Sequence, residues 1–148
     1  MMHRRGFVFA LVATGVVSGC QSTPKPSSVT INLSGQPGMN PGPGGGERPV
    51  TVLVMRLRST GKFNSADYFA LQSNAAGTLA GDLIGSDTVA VAPGQTASKT
   101  LTVEPETAAI GLVALLRDPG GRSWRTTRSV SAGSKVTLNV QLGAGGIS

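Results

Sequence analysis

The 148 residues hold a single histidine, His3, and a single cysteine, Cys20. One cysteine excludes an intramolecular disulfide. Since His3 sits in a leader that should be removed, the remaining chain has no histidine to activate a nucleophile and no Cys/His metal site. Aromatic residues are few, four Phe with one Trp and one Tyr, and charged residues make up only 14%. A core must then be built from Val, Leu, Ile and Ala, which suits a β-rich domain. Carboxylates are also sparse. Asp67, Asp82, Asp87, Glu104, Glu106 and Asp118 lie in separate segments, where each reads as a cap, turn or surface residue rather than half of a catalytic pair. Enzyme chemistry is disfavoured. Nor does any apolar run reach the roughly 20 residues needed to cross a bilayer.

What is present begins with a short basic region, Met1–Arg5, and a 12-residue apolar run, Gly6–Val17. This is the pattern of a secretory signal. It ends in Val17-Ser18-Gly19-Cys20, which resembles the lipobox of bacterial lipoproteins. That resemblance implies residues 1–19 as a signal peptide cut before Cys20, with diacylglycerol on the thiol and an acyl chain on the new amino terminus, and no other cofactor. Gln21 in the second position implies the outer membrane, with the domain facing the periplasm. Loss of Arg4 and Arg5 leaves 11 basic against seven acidic residues, a net +4. These cations are scattered, so no nucleic-acid footprint is read. Residues 20–28 then form the lipidated cysteine and a polar, proline-containing tether.

The domain itself is predicted over residues 29–142, with a frayed tail at 143–148. Val29–Leu33 alternates apolar and polar residues, the period of a half-buried strand. Val50–Leu57 is apolar on both faces, with Val50, Val52 and Val54 on one and Leu53, Met55 and Leu57 on the other. Such a strand needs a cover on each side, a second sheet on one and a helix near Ser65–Leu71 on the other. Asn64 or Ser65 would cap that helix, with Asp67 in its first turn and Phe69 packed onto the sheet. Strands follow at Thr88–Ala92, Lys99–Val103, Ala109–Arg117, Ser123–Val130 and Lys135–Leu142, punctuated by Pro93-Gly94, Asp118-Pro119-Gly120-Gly121 and Ala132-Gly133-Ser134. Seven short strands with one helical insertion between the second and third predict a mainly β, two-sheet sandwich. Ile110, Leu112, Val113, Leu115 and Leu116 form its expected centre.

Ser34–Pro49 stands apart, 16 residues of which ten are Gly or Pro. Connections this long tend to be functional. It is no phosphate cradle, since the Gly-x-Gly-x-x-Gly spacing fails at Glu47 and a strand follows where a helix is needed. Arg117, Arg122, Arg125 and Arg128 crowd one hairpin, where they read as a solvated edge that guards against strand pairing. Trp124 reads as a core or rim aromatic.

Together these motifs resemble a known family. A lipobox precedes a strand, an Asn-Pro-Gly-rich loop and Arg48-Pro49. Leu57-Arg58-Ser59, Phe63, Ala66-Asp67-Tyr68-Phe69-x-Leu71 and Gly81-Asp82-Leu83 come next. Ala92-Pro93-Gly94, Ile110-Gly111-Leu112-Val113-Ala114, Arg117-Asp118 and Trp124-Arg125 complete the series. In this order they are similar to the outer-membrane lipoprotein of the type VI secretion system, the TssJ/VasD/SciN family. The resemblance implies a transthyretin-like sandwich that anchors the secretion membrane complex by binding the periplasmic part of the inner-membrane component TssM. It places partner contacts in the first interstrand loop, here Gln36, Met39, Asn40, Pro41, Gly42, Glu47 and Arg48. It implies no nucleic acid and no small-molecule substrate. From the residues alone, a periplasmic lipoprotein with a ligand- or glycan-binding sandwich remains the alternative.

Overall fold

The computed structural model describes Gly15 and residues 23–148. The rest of the expected signal peptide and Cys20 lie outside the described residues. Eight strands occur in chain order: β1 (Ser27–Gly35), β2 (Val50–Leu57), β3 (Leu83–Val91), β4 (Thr96–Val103), β5 (Ala109–Leu115), β6 (Arg125–Ser129), β7 (Lys135–Gly143) and β8 (Gly146–Ile147). They build two four-stranded sheets, ordered β4-β1-β7-β8 and β3-β2-β5-β6. All pairings are antiparallel except that of β1 with β7. Helices α1 (Gly61–Ser65) and α2 (Tyr68–Leu79), with a 3-10 turn at Ala80–Asp82, fill the connection from β2 to β3. The two-sheet sandwich with its helical insertion is as the sequence predicts; the strand count is eight rather than seven.

Alternation in β1 sends Val29, Ile31 and Leu33 into the space between the sheets, all fully buried. Its other face is polar and wet. Thr30 meets Thr100 at 3.0 Å, and Asn32 bonds both Ser98 and Asn139, at 2.7 and 3.2 Å. The second sheet is covered on both faces along most of β2 and β5, while Thr51, Thr88 and Ala90 stay exposed. Val50, Val52 and Val54 of β2, with Ile110, Leu112 and Ala114 of β5, complete the core between the sheets. On the opposite face Met55, Leu57 and Val113 form a second core with Phe63, Leu71 and Leu79 of the insertion, while Leu53 and Leu115 are half-buried at its margin. Gly111 makes this second packing possible: a methyl group there would sit 2.7 Å from Phe63 Cε2 and 2.9 Å from Leu57 Cδ1.

The insertion differs from the sequence reading in one consequential way. The chain forms two helices, broken at Ala66, whose backbone is extended. Asp67 is the cap of α2, its carboxylate accepting from the Ala70 amide at 2.7 Å, in place of Asn64 or Ser65. The break turns Phe63 onto the sheet and leaves Phe69, expected as the cover, 70% exposed.

The tail is ordered. Ile147 is 2% exposed, and Ser148 exchanges two backbone hydrogen bonds with Gln141, each 2.9 Å. A two-residue strand among glycines has no period to read. β3 likewise starts at Leu83, five residues before the apolar run begins, because Gly85 and Asp87 are fitted to Arg56. A side chain at Gly85 would collide with the Arg56 guanidinium. Asp87 and Glu104 pair with that guanidinium at 2.5 and 3.0 Å, so two carboxylates read as surface residues close one end of the sandwich.

Candidate partner-binding surface

Strand direction gives the sandwich two functionally different ends. Ser27, the amino-terminal residue of β1, pairs with Val103 and bonds the Ser131 carbonyl through its hydroxyl at 2.6 Å. Just before it, the Lys25 carbonyl accepts from the Gly133 amide at 2.9 Å. β1 then runs nine residues, about 26 Å at the usual rise, to Gly35. The Gly/Pro-rich connection leaves from that far end.

That connection is a small hairpin with a locked root and a free tip. Met39 is fully buried in the core between the sheets, and its carbonyl accepts from the Arg122 guanidinium at 3.0 Å. Asn40 is 6% exposed. Its Nδ2 donates to the Pro49 carbonyl at 3.2 Å, its Oδ1 accepts from the Arg117 amide at 2.9 Å, and its carbonyl accepts from the Arg48 amide at 3.1 Å. Pro41 and Glu47 then pair as an isolated bridge, with the Gly42 amide donating to the Gly46 carbonyl at 2.5 Å. The turn at the tip runs through Gly44 and Gly45 at φ +83° and +86°, a region that residues with a Cβ rarely enter. The Glu47 carboxylate reaches back to the Gly38 amide.

The expected contact residues therefore divide. Gln36, Glu47 and Arg48 are exposed, as are Pro43 to Gly46 between them; Pro41 is half-buried and Gly42 buried. Met39 and Asn40 are corrected from contact side chains to roots of the loop, because both are spent on the interior of the sandwich and on its hydrogen bonds.

Beside the root lies an aromatic stack that sequence reasoning did not connect to the loop. Tyr68 Oη donates to the Leu116 carbonyl at 2.9 Å, one residue before the amide that Asn40 holds. The Tyr68 ring meets Phe69 and Trp124 edge to face, each with centroids 5.3 Å apart. Arg125 lies 4.5 Å from the centre of the Trp124 ring and donates to the Phe63 and Ala66 carbonyls at the end of α1, at 2.9 and 2.5 Å. It is a clamp on the insertion rather than the solvated edge residue that the Arg-rich hairpin suggests. Arg128, by contrast, bonds only its neighbours Thr126 and Thr127 on the edge strand. Burial pushes the Tyr68 hydroxyl above its ordinary pKa, only partly offset by the bond to Leu116, so it serves as a fixed donor.

No group of three or more Asp, Glu, His or Cys among the described residues could hold a metal. A hollow of about 240 Å³ next to β8 is lined by Gln36, Ser123, Gln141 and glycines, with no titratable side chain. Its serine hydroxyls have no histidine, carboxylate or amine side chain in the lining to activate them.

Comparison with known proteins agrees with this architecture. Residues 27–145 match the family model described as type VI secretion lipoprotein, VasD, EvfM, TssJ, VC_A0113. Comparison with curated protein sequences gives no match. Among solved structures, the type VI lipoprotein TssJ1 from Pseudomonas aeruginosa is 34% identical, with 83% of this chain and 94% of that one covered at a TM-score of 0.77. Serratia marcescens Lip, described as a membrane-bound component of the type VI secretion system, is 23% identical over 82% of this chain and 95% of that one, also at 0.77. A chain in a structure described as the TssM C-terminal domain (869-1107) from EAEC shares the fold at 18% identity, 82% and 95% coverage and a TM-score of 0.71. The chain belongs to the TssJ/VasD family of type VI secretion lipoproteins, structural components of the secretion apparatus and not enzymes.

Proposed function

We propose that the protein is acylated at Cys20, is held at the outer membrane, and tethers the type VI membrane complex there by binding the periplasmic part of TssM through the hairpin between β1 and β2. The observation that carries this reading is the division of that hairpin. Its root is fixed through Met39 and Asn40, while Pro43 to Arg48 stand exposed, at the end of β1 opposite the anchored terminus. A pre-ordered loop forfeits little freedom on binding, so more of its contact energy appears as affinity. A structure of this fold bearing the TssM description supports the choice of partner. The family's lipoprotein character supports Cys20 as the acylated residue.

The test is the double substitution Pro43→Glu with Arg48→Glu, which alters the exposed tip and leaves the root intact. Melting temperature and membrane fractionation should stay at wild type, while capture of the TssM periplasmic domain and secretion are lost. Undiminished capture would remove the tip from the interface. Labelled palmitate should enter the wild type and not Cys20→Ser.

A further inference from the structure

The end of the sandwich nearest Cys20 carries its own pattern of charge and connection. Lys25 is already part of the fold, tied through its carbonyl to Gly133. Only four residues separate it from Cys20, and five Cα steps reach at most about 17 Å. That is shorter than β1 itself. Around this point Glu104 is paired with Arg56 and Glu106 with Arg58, at 3.0 and 3.7 Å. Asp87 shares the Arg56 guanidinium at 2.5 Å, and Asp82 also lies near that end, its backbone carbonyl bonded to the Arg58 amide. Two exposed lysines here, Lys25 and Lys135, have no carboxylate within 4.0 Å among the described residues. The turn between them, Ser131 to Gly133, is exposed and built of small residues, so nothing bulky holds the backbone off a flat surface.

We infer that this end, with Lys25, Lys135 and the Ser131–Gly133 turn, rests on an anionic phospholipid surface, so the domain stands upright with the partner-binding hairpin directed away from the membrane. The inference rests on the proposed acylation of Cys20 and adds to it the face that meets the lipid. Two terms act together. The short connection holds the lysines within reach of headgroups, and each cation near such a surface strengthens its attraction roughly fivefold. A domain lying on its side would carry the exposed hairpin tip down to the headgroups and withdraw it from a partner arriving through the periplasm.

The acylated full chain is reconstituted in phosphatidylethanolamine vesicles containing phosphatidylglycerol, with a fluorophore at Ala132→Cys or, separately, at Pro43→Cys. A quencher carried on lipid headgroups should quench the label at position 132 several-fold more than that at 43. Charge reversal by Lys25→Glu with Lys135→Glu should reduce this contrast, and a long Gly/Ser insertion after Gln21 combined with it should abolish the contrast. Equal quenching at the two positions, or stronger quenching at 43, overturns the inference while leaving the lipid anchor standing. Failure of the acylated wild type to float with the vesicles overturns both.

Discussion

The Arg117 amide donates to Asn40 Oδ1 at 2.9 Å across 77 positions of sequence. Through this bond the first interstrand connection and the end of β5 become one unit, and Tyr68 joins it from the helical insertion through the neighbouring Leu116 carbonyl. The hairpin therefore has a stability role at its root, and the proposed recognition role falls to its exposed tip. Removing all of Gln36–Glu47 would also take out Met39 from the core, so only the tip can be altered without disturbing the fold.

Asn40→Ala strands the Arg117 amide and the Pro49 carbonyl together. Both bonds are partly buried, and an ordinary hydrogen bond contributes about 0.5–1.5 kcal/mol net. Denaturant unfolding should show a loss in that range, and a change too small to resolve would mean that water replaces both bonds.

Phe63 and Phe69 are six residues apart and should behave in opposite ways. Phe63 is fully buried against Gly111 and Leu57, so Phe63→Ala should cost about 3–5 kcal/mol. Phe69→Ala removes an exposed ring and should stay within about 0.5 kcal/mol of wild type. Thermal melts of the two variants side by side decide the packing of the insertion; similar losses would contradict it.

Tyr68 gives stability a signature at high pH. Its folded-state pKa lies above the ordinary value of 10.0, chiefly because burial penalises the phenolate. The folded state thus holds the proton more tightly than the unfolded chain. The stabilisation is complete below the unfolded pKa and is lost as pH rises through the raised folded value. Tyr68→Phe should be less stable than wild type at neutral pH, for want of the Leu116 bond, and the gap should narrow in alkaline solution. As this is the chain's one tyrosine, absorbance titration of the phenolate checks the shift directly. A gap that stays constant to high pH would disprove the coupling.

The parts of the fold legible in the sequence were those with a sustained period. Six of the eight residues of β2 form two alternating apolar sets, and both predicted covers are there: the second sheet over Val50, Val52 and Val54, and the insertion over Met55 and Leu57. What stayed hidden depends on distant partners. Asp87 and Gly85 look unlike a strand until Arg56 is placed across from them. Phe63 and Phe69 exchange roles because a break at Ala66 resets the helical phase. In the candidate surface, glycine and proline density located the connection correctly. Its root was not legible, since Met39 stands alone among turn residues and Asn40 finds its partner only once β5 is built.

The parallel pairing of β1 with β7 sets an order on how the molecule comes into being. β1 lies between β4 and β7, and its partners on the β7 side are Lys135 to Leu142, with Asn32 and Asn139 separated by 107 positions. The inner ladder of that sheet cannot close until Leu142 is available, and closing so large a loop is slow. During that interval Val29, Ile31 and Leu33 lack half of their sheet. The first strand of the domain is thus seated late, when β7 closes along it.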